Sequence, residues 1–285
     1  MASDMGPTRR SLIAEATAAL SSAGVAEPRR EALRLWSELR GGSPAEVLLD
    51  GEAETDVATA SALRQVVGRR VAGEPLAHVT GRIGFRTLDL MSDRRALIPR
   101  PETEGLVDLL LARVRTGRLA DIGTGSGCLA LSLAAEGGFA HVSAVDVSAA
   151  ALALARANRD ACGAGVDLIR GDLCQPLRAA SVDAVVSNPP YLTAAEYEAL
   201  DPSVKRWEPA AALVSGPDGL HATGRLLQET RRVLRGGGWL ALEVDCTRAA
   251  AVAAQAGALG WMDIAIHADL FGRERYLLAR RSAQS

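Results

Sequence analysis

The stretch Asp121-Ile122-Gly123-Thr124-Gly125-Ser126-Gly127-Cys128 decides the fold. Before it, Leu119-Ala120-Asp121-Ile122 reads as a short buried strand, and after it an apolar run to Ala134 reads as a helix. Glycines between a strand and a helix let the chain turn tightly and let backbone approach a ligand closely. Working outward, strands and helices alternate. Strands are expected over residues 142–147, 166–169, 184–187 and 239–244, and over 264–266 and 275–279 at the end. Helices are expected over residues 148–159, 219–235 and 248–259. This alternation predicts a doubly wound, Rossmann-like α/β sheet covered by helices on both faces.

The preceding part of the chain reads differently. Leu12, Ile13, Ala16, Ala19 and Leu20 mark one helical face, and Leu33, Trp36 and Leu39 follow Pro28 at helical spacing. Ser43-Pro44-Ala45-Glu46 has the form of a capping box, and Val57, Ala60, Leu63, Val67 and Val71 form a further helical stripe. Residues 76–99 lack helical periodicity and suggest a β-hairpin linker. The expected organisation is therefore a small all-α domain over residues 1–75 that docks a substrate, a hairpin linker over 76–99, and a catalytic α/β domain over 100–285.

Composition narrows the function. A chain of 285 residues with 48% hydrophobic and 23% charged residues is that of a globular protein with a packed core. No apolar run is long enough to span a membrane, and no secretory signal is evident because Glu15 interrupts the first apolar stretch. Cys128, Cys162, Cys174 and Cys246 show no metal-binding spacing and read as thiols of a reducing cytoplasm. His78, His141, His221 and His267 are scattered, so no metal site is expected. A net charge of −2 argues against a phosphate backbone as the main partner.

The glycine loop carries more detail. A dinucleotide fingerprint would place its third glycine where Cys128 stands, so Gly123, Thr124, Gly125, Ser126 and Gly127 lean towards S-adenosylmethionine. Asp146, 19 residues beyond Gly127, ends the next strand and is placed to accept from both ribose hydroxyls. Its alternative is an N-cap for the following helix. Asp172 ends a third strand and could accept an adenine amino group with Leu173 against the ring, or be an ordinary turn aspartate.

Asn188-Pro189-Pro190-Tyr191 then identifies the chemistry. It follows a strand, so it faces the same crevice as the glycine loop. The prolines hold the backbone extended. The Asn188 side-chain oxygen and the Pro189 carbonyl form a fixed pair of acceptors for a planar NH2 group, and the Tyr191 ring can pack on it. Catalysis here is positioning and electrostatics, with no general base.

Together these motifs resemble the class I methyltransferases that modify planar amino groups. The wider chain is similar to the peptide chain release factor N5-glutamine methyltransferase family. The likeness is carried by Glu74-Pro75-Leu76-Ala77 with Gly81 and Phe85, by Leu97-Ile98-Pro99-Arg100-Pro101-Glu102-Thr103-Glu104, by Trp207-Glu208-Pro209 with Ala212-Leu213, and by Gly216-Pro217-Asp218-Gly219-Leu220. The resemblance implies an enzyme that binds S-adenosylmethionine through Gly123 to Gly127, Asp146, Asp172, Leu173 and Asn188. It implies a substrate glutamine on Asn188, Pro189, Pro190 and Tyr191, with Asn188, Pro189 and Tyr191 catalytic and a release factor as the protein partner. The Pro99 to Glu104 segment is expected at the entrance, with Pro101 opening a helix. Glu102 and Glu104 then lie in its first turn, where they could equally serve only to complement the helix dipole. His78, Asp245 and Arg248 depart from the family's usual residues and bear on substrate choice.

The rival readings are an adenine or guanine amino methyltransferase acting on nucleic acid, a Rossmann oxidoreductase, and a non-catalytic scaffold. Glu102, Glu104, Glu196 and Glu198 against Arg100 alone suggest a substrate side that repels phosphates and disfavours the first. Cys128 and the lack of a hydride-transfer residue count against the second, and the intact tetrapeptide against the third.

Overall fold

The computed structural model describes residues 6–41, 45 and 49–283. The chain divides into two compact units, Met1–Gly81 and Arg82–Ser285. The expected capping box at Ser43 to Glu46 lies outside the described residues, apart from Ala45.

The first unit is helical. Helix α1 (Arg9–Ser22) starts where the Thr8 side chain accepts from the Ser11 N–H. Helix α2 (Pro28–Arg40) has proline in its first turn and stops at Gly41 in the left-handed conformation. Helix α3 (Val57–Val71) is capped by Asp56, which accepts from Thr59 N–H at 2.8 Å. Their apolar faces meet in a core of Leu12, Leu20, Leu35, Trp36 and Leu63. One more helix, α4 (Leu76–Thr80), occupies the start of the stretch expected to lack helix. Five residues are too few to show a helical period. Arg69 holds the turn by donating to the Glu74 carboxylate and to the carbonyl of His78 at 3.0 Å.

The second unit opens with a hairpin, β1 (Arg82–Phe85) and β2 (Leu88–Met91). A single 3-10 turn over Pro101–Thr103 leads into α5 (Glu104–Leu111), so Pro101 opens a 3-10 turn rather than the helix itself. The chain then alternates through β3 (Thr116–Ile122), α6 (Cys128–Glu136), β4 (Gly138–Asp146), α7 (Ala149–Cys162), β5 (Val166–Arg170) and β6 (Val182–Ser187). Two short helices, α8 (Ala194–Glu198) and α9 (Pro202–Trp207), were not foreseen by the spacing. Then come α10 (His221–Val233), β7 (Leu234–Glu243), α11 (Ala249–Ala258), β8 (Met262–Ala268) and β9 (Glu274–Arg280).

The seven-stranded sheet has the order β5-β4-β3-β6-β7-β9-β8. Strands β3 to β7 pair in parallel, and β9 enters antiparallel between β7 and β8. Parallel strands covered on both faces need apolar residues on both sides. Accordingly Ala120 and Ile122 of β3 point into one core with Leu226 and Leu227 of α10. Leu119 points into the other with Leu106 and Leu110 of α5. The order reverses between β3 and β6, so the crevice at their carboxyl ends is where such a sheet binds ligands.

A candidate active site at the carboxyl edge of the sheet

A cavity of about 310 Å³ opens at that edge. Its volume lies within the range of small-molecule sites. The glycine loop, Asp146, Asp172, Leu173, Asn188 and Pro190 all line it, so residues from β3 to β6 converge on one space. Pro189 and Tyr191 do not line it; Pro189 is buried and Tyr191 half-buried behind Asn188 in sequence.

The loop is built by backbone hydrogen bonds. The N–H groups of Gly123 and Thr124 both donate to the Val145 carbonyl, at 2.8 and 3.0 Å. Gly123 and Gly125 have φ of +73° and +57°, and a Cβ on either would meet no heavy atom closer than Ala96 Cβ at 3.9 Å. Those glycines therefore leave open space beside the backbone. At Gly127 a Cβ would press on Leu131 at 3.2 Å and Ala155 at 3.4 Å, so this glycine lets α6 and α7 pack closely.

Asp146 organises the rim. One carboxylate oxygen accepts from Gly125 N–H at 2.9 Å, the other from Ser148 N–H at 2.8 Å, and the Asp146 carbonyl accepts from Gly171 N–H. The N-cap of α7 is Ser148, whose side chain accepts from Ala151 N–H. Asp172 is gripped by Arg225, at 2.8 and 3.3 Å, and accepts from Gln175. Leu173 adopts φ +47°, an unfavourable conformation for a branched side chain that is held beside the cavity.

Asp121 lies beneath the loop, fully buried. One oxygen accepts from Thr124 Oγ1 at 2.6 Å and Ala130 N–H at 3.1 Å, while Oδ1 has no partner. Burial pushes its pKa up to about 7, against those two hydrogen bonds and helped by the nearby Asp146 charge. Because this value exceeds the ordinary 3.8, folding takes up a proton between about 4 and 7. The Asp121 contribution to stability is then fully present below that window and is lost as pH rises through it. Asp121→Asn should flatten the decline, read as thermal midpoint against pH from about 4 to 8. An unchanged slope would show that Asp121 is not the group titrating.

The Asn188 side chain is also anchored. Its Nδ2 donates to Thr103 Oγ1 at 3.1 Å, and Thr103 Oγ1 donates to Glu243 at 2.6 Å. Thr103 sits in the 3-10 turn and Glu243 ends β7, so three separate segments meet here. Burial raises the Glu243 pKa to about 6, opposed by the Thr103 hydrogen bond and by Arg275. Neither Thr103 nor Glu243 was singled out as a site residue by sequence reasoning. The signal available was Thr103 within the Leu97 to Glu104 segment.

That segment is pinned by Glu208, whose buried carboxylate accepts from Ile98 N–H at 3.0 Å and Arg100 at 2.6 Å. Two of the four stretches that carry the family likeness, around Ile98 and around Glu208, thus meet beside the cavity. Leu97, Pro99 and Arg100 line the cavity, whereas Glu102 and Glu104 do not. Arg248, one of the departures, takes Glu196 in two 2.8 Å bonds, donates to the Asp218 carbonyl and pairs with Asp245. It ties α8 to the loop before α10, and it holds the Glu196 pKa down to about 2.

These pairings correct the charge argument. Glu196 is neutralised by Arg248 and Glu198 by Lys205, while Glu104 accepts from the Arg86 backbone N–H. Arg94 and Arg206 stack on Trp207 nearby, at 4.8 and 5.3 Å. The acidic excess seen along the chain is therefore not a bare acidic surface.

The sheet order, the glycine loop and the anchored Asn-Pro-Pro-Tyr tetrapeptide define a methyltransferase of the Rossmann-like class. A methyltransferase from Pyrococcus furiosus shares the fold, with a TM-score of 0.54 at 20% identity over 77% of this chain and 98% of that one. The methyltransferase small domain matches residues 101–203 and the PrmC N-terminal domain residues 11–81. The release factor glutamine methyltransferase of Deinococcus radiodurans is 40% identical over 96% of this chain and 98% of its own. That of Moorella thermoacetica is 40% identical over 96% of this chain and 99% of its own. The chain belongs to the release factor glutamine methyltransferase family.

Among the described residues no helix is long and apolar enough to cross a membrane, and no cluster of side chains could hold a metal ion.

Proposed function

We propose that this enzyme transfers a methyl group from S-adenosylmethionine to the side-chain amide nitrogen, N5, of the glutamine in the Gly-Gly-Gln loop of class I release factors. The observation that carries the reading is that Asn188 and the glycine loop line one cavity, so the Asn188 carboxamide stands beside a nucleoside-sized space. The cavity's chemistry fits the cofactor. Gly123 and Gly125 leave room for close approach, Ser126 Oγ on the wall is buried without a partner, and Asp146 keeps acceptor capacity for ribose hydroxyls. Asp172 and Leu173 take the adenine end in this reading. The membership of the family, whose curated relatives are named for release factor glutamine methylation, supports the substrate.

When bound, S-adenosylmethionine supplies an electrophilic methyl group on a cationic sulfur. The chain's part is to make a poor nucleophile competent. Resonance ties up an amide lone pair. Accepting both N–H bonds on Asn188 Oδ1 and the Pro189 carbonyl draws that lone pair back onto nitrogen and fixes its direction. As the nitrogen takes the methyl group, the methyl–sulfur bond would break with its electron pair going to sulfur, leaving a neutral thioether, and the nitrogen would shed one proton to solvent. No buried base is required, and Tyr191, whose pKa burial pushes up to about 12, stays neutral and serves as a surface for the substrate. The helical unit serves as a docking element for the release factor.

The test offers labelled cofactor with a purified release factor, the same factor with its loop glutamine changed to asparagine, and single- or double-stranded DNA. Mass spectrometry should find one added methyl on the loop glutamine alone. Transfer to DNA, or equal transfer to the asparagine variant, would overturn the proposal.

A further inference from the structure

We propose that Thr103 and Glu243 are positioning residues that fix which way round the Asn188 carboxamide is held, making it an acceptor towards the substrate. This rests on the glutamine reading of the site. The count of available protons decides the orientation. A threonine hydroxyl has one proton and a carboxylate has none to give. Thr103 spends its proton on Glu243, at 2.6 Å. What faces Thr103 from Asn188, 3.1 Å away, must then bring a proton, so it is the NH2 end. The carbonyl end is left to face the other way. An Asn188 amide rotated by half a turn would set its oxygen against the lone pairs of Thr103, two acceptors with no hydrogen between them. Since an amide's two ends have nearly the same shape, only such a chain of partners can choose between them.

The choice matters because a substrate NH2 group needs acceptors. The reversed Asn188 would offer it a second NH2 group, and the clamp would repel what it should hold. Burial also suits the task. Thr103 and Glu243 are each 2% exposed, so water is not at hand to replace either partner. The contact joins residues 140 positions apart, and Thr103 is set by a 3-10 turn pinned from β9, where Tyr276 Oη donates to the Glu102 carbonyl.

The chain of donors holds only while Glu243 is ionised. Its surroundings are mixed: Arg275 on β9 and Arg100 favour the charge, while Glu102 opposes it. Tyr191, Tyr276 and Cys128 lie within reach of its charge, all neutral because burial pushes each up to about 12. A protonated Glu243 can donate to Thr103, which frees the threonine proton for the Asn188 oxygen and permits the reversed amide. The proposal therefore expects the clamp to fail as pH falls through about 6.

Two measurements test it. The first needs no cofactor or substrate: the side-chain NH2 resonances of Asn188 in 15N-labelled enzyme. One proton should exchange slowly, and its shift should titrate near pH 6 in the wild type. The protection should be lost in Thr103→Val and the titration lost in Glu243→Gln. The second is initial-rate kinetics with purified release factor. Thr103→Val should lower kcat about tenfold, the scale of one net hydrogen bond, with KM little changed, and Thr103→Ser should restore most of the rate. In an Asn188→Ala background Thr103→Val should cost nothing further, since its effect runs through that amide. Equal rates for Thr103→Val and wild type, additive losses, or an Asn188 resonance indifferent to both substitutions would overturn the proposal. A wild type that leaves the release factor unmodified would instead refute the glutamine reading, with the resonance measurement still deciding the orientation.

Discussion

Asn188→Ala is expected to slow methyl transfer by about 10²–10³-fold, the usual cost of one oriented polar contact at a reacting centre. The protein should fold normally. Asn188 is half-buried, and Thr103 keeps its bond to Glu243 when the amide is gone. Cofactor affinity should fall far less than turnover, because Asn188 is one of several residues expected at the cofactor and the loop itself is held by Asp146 and Val145. Loss of turnover with preserved binding would place Asn188 at the substrate. Asn188→Asp makes a sharper companion, since it keeps the shape and one acceptor oxygen. Its second oxygen would face a Thr103 whose proton is already given to Glu243, adding a negative charge beside a buried carboxylate. It should therefore be nearly as inactive as alanine and less stable. Initial rates by mass spectrometry, calorimetric binding and thermal unfolding measure the three quantities. A variant methylating within a few-fold of wild type would remove the tetrapeptide from its assigned role.

What the sequence makes legible here follows from where its chemistry sits. Motifs placed at the carboxyl ends of parallel strands must share one edge of the sheet, so reading β3, β4, β5 and β6 as strands already brings Gly123, Asp146, Asp172 and Asn188 together. Each of those residues is local to its own strand end. The partners that hold them are not. Glu243 lies 140 residues from Thr103, and Glu208 lies 110 from Ile98, so no periodicity or spacing links them. The same holds for charge. Glu196 reads as a free acid along the chain until the fold brings Arg248 to it from 52 residues away. Strand direction is equally hidden. Short apolar runs mark β8 and β9 as strands but cannot say that β9 runs antiparallel and inserts beside β7. Helix α4 is short enough that its period never shows, and a sequence reading assigns it to the hairpin that starts only at Arg82. The departures at Asp245 and Arg248 gain meaning only in three dimensions, as a pair that secures the loops around the substrate side.

Asp146→Ala is expected to weaken S-adenosylmethionine binding by about 1.5–3 kcal/mol, the value of charge-assisted hydrogen bonds to a carboxylate, or roughly ten- to 150-fold in Kd. Two accounts of this aspartate compete along the chain: a ribose acceptor, or a cap for the next helix. The structure separates the duties. Ser148 supplies the side chain that caps α7, accepting from Ala151 N–H at 3.2 Å. Asp146 spends one lone pair on Gly125 N–H and one on Ser148 N–H. A carboxylate has about four acceptor sites, so roughly two remain on a rim that faces the cavity. The pair Asp146→Ala and Ser148→Ala therefore discriminates. Ser148→Ala should cost about 1 kcal/mol of stability, as lost caps do, and leave affinity nearly unchanged. Asp146→Ala should do the reverse: a large loss of affinity that exceeds its effect on the thermal midpoint. Asp146→Asn, with one oxygen left to accept, should fall between. Calorimetry of cofactor binding and thermal unfolding of the cofactor-free enzyme, run on the same three variants, supply both axes. Unchanged affinity in Asp146→Ala, or equal losses of affinity in Asp146→Ala and Ser148→Ala, would mean that Asp146 shapes the loop and does not hold the ribose.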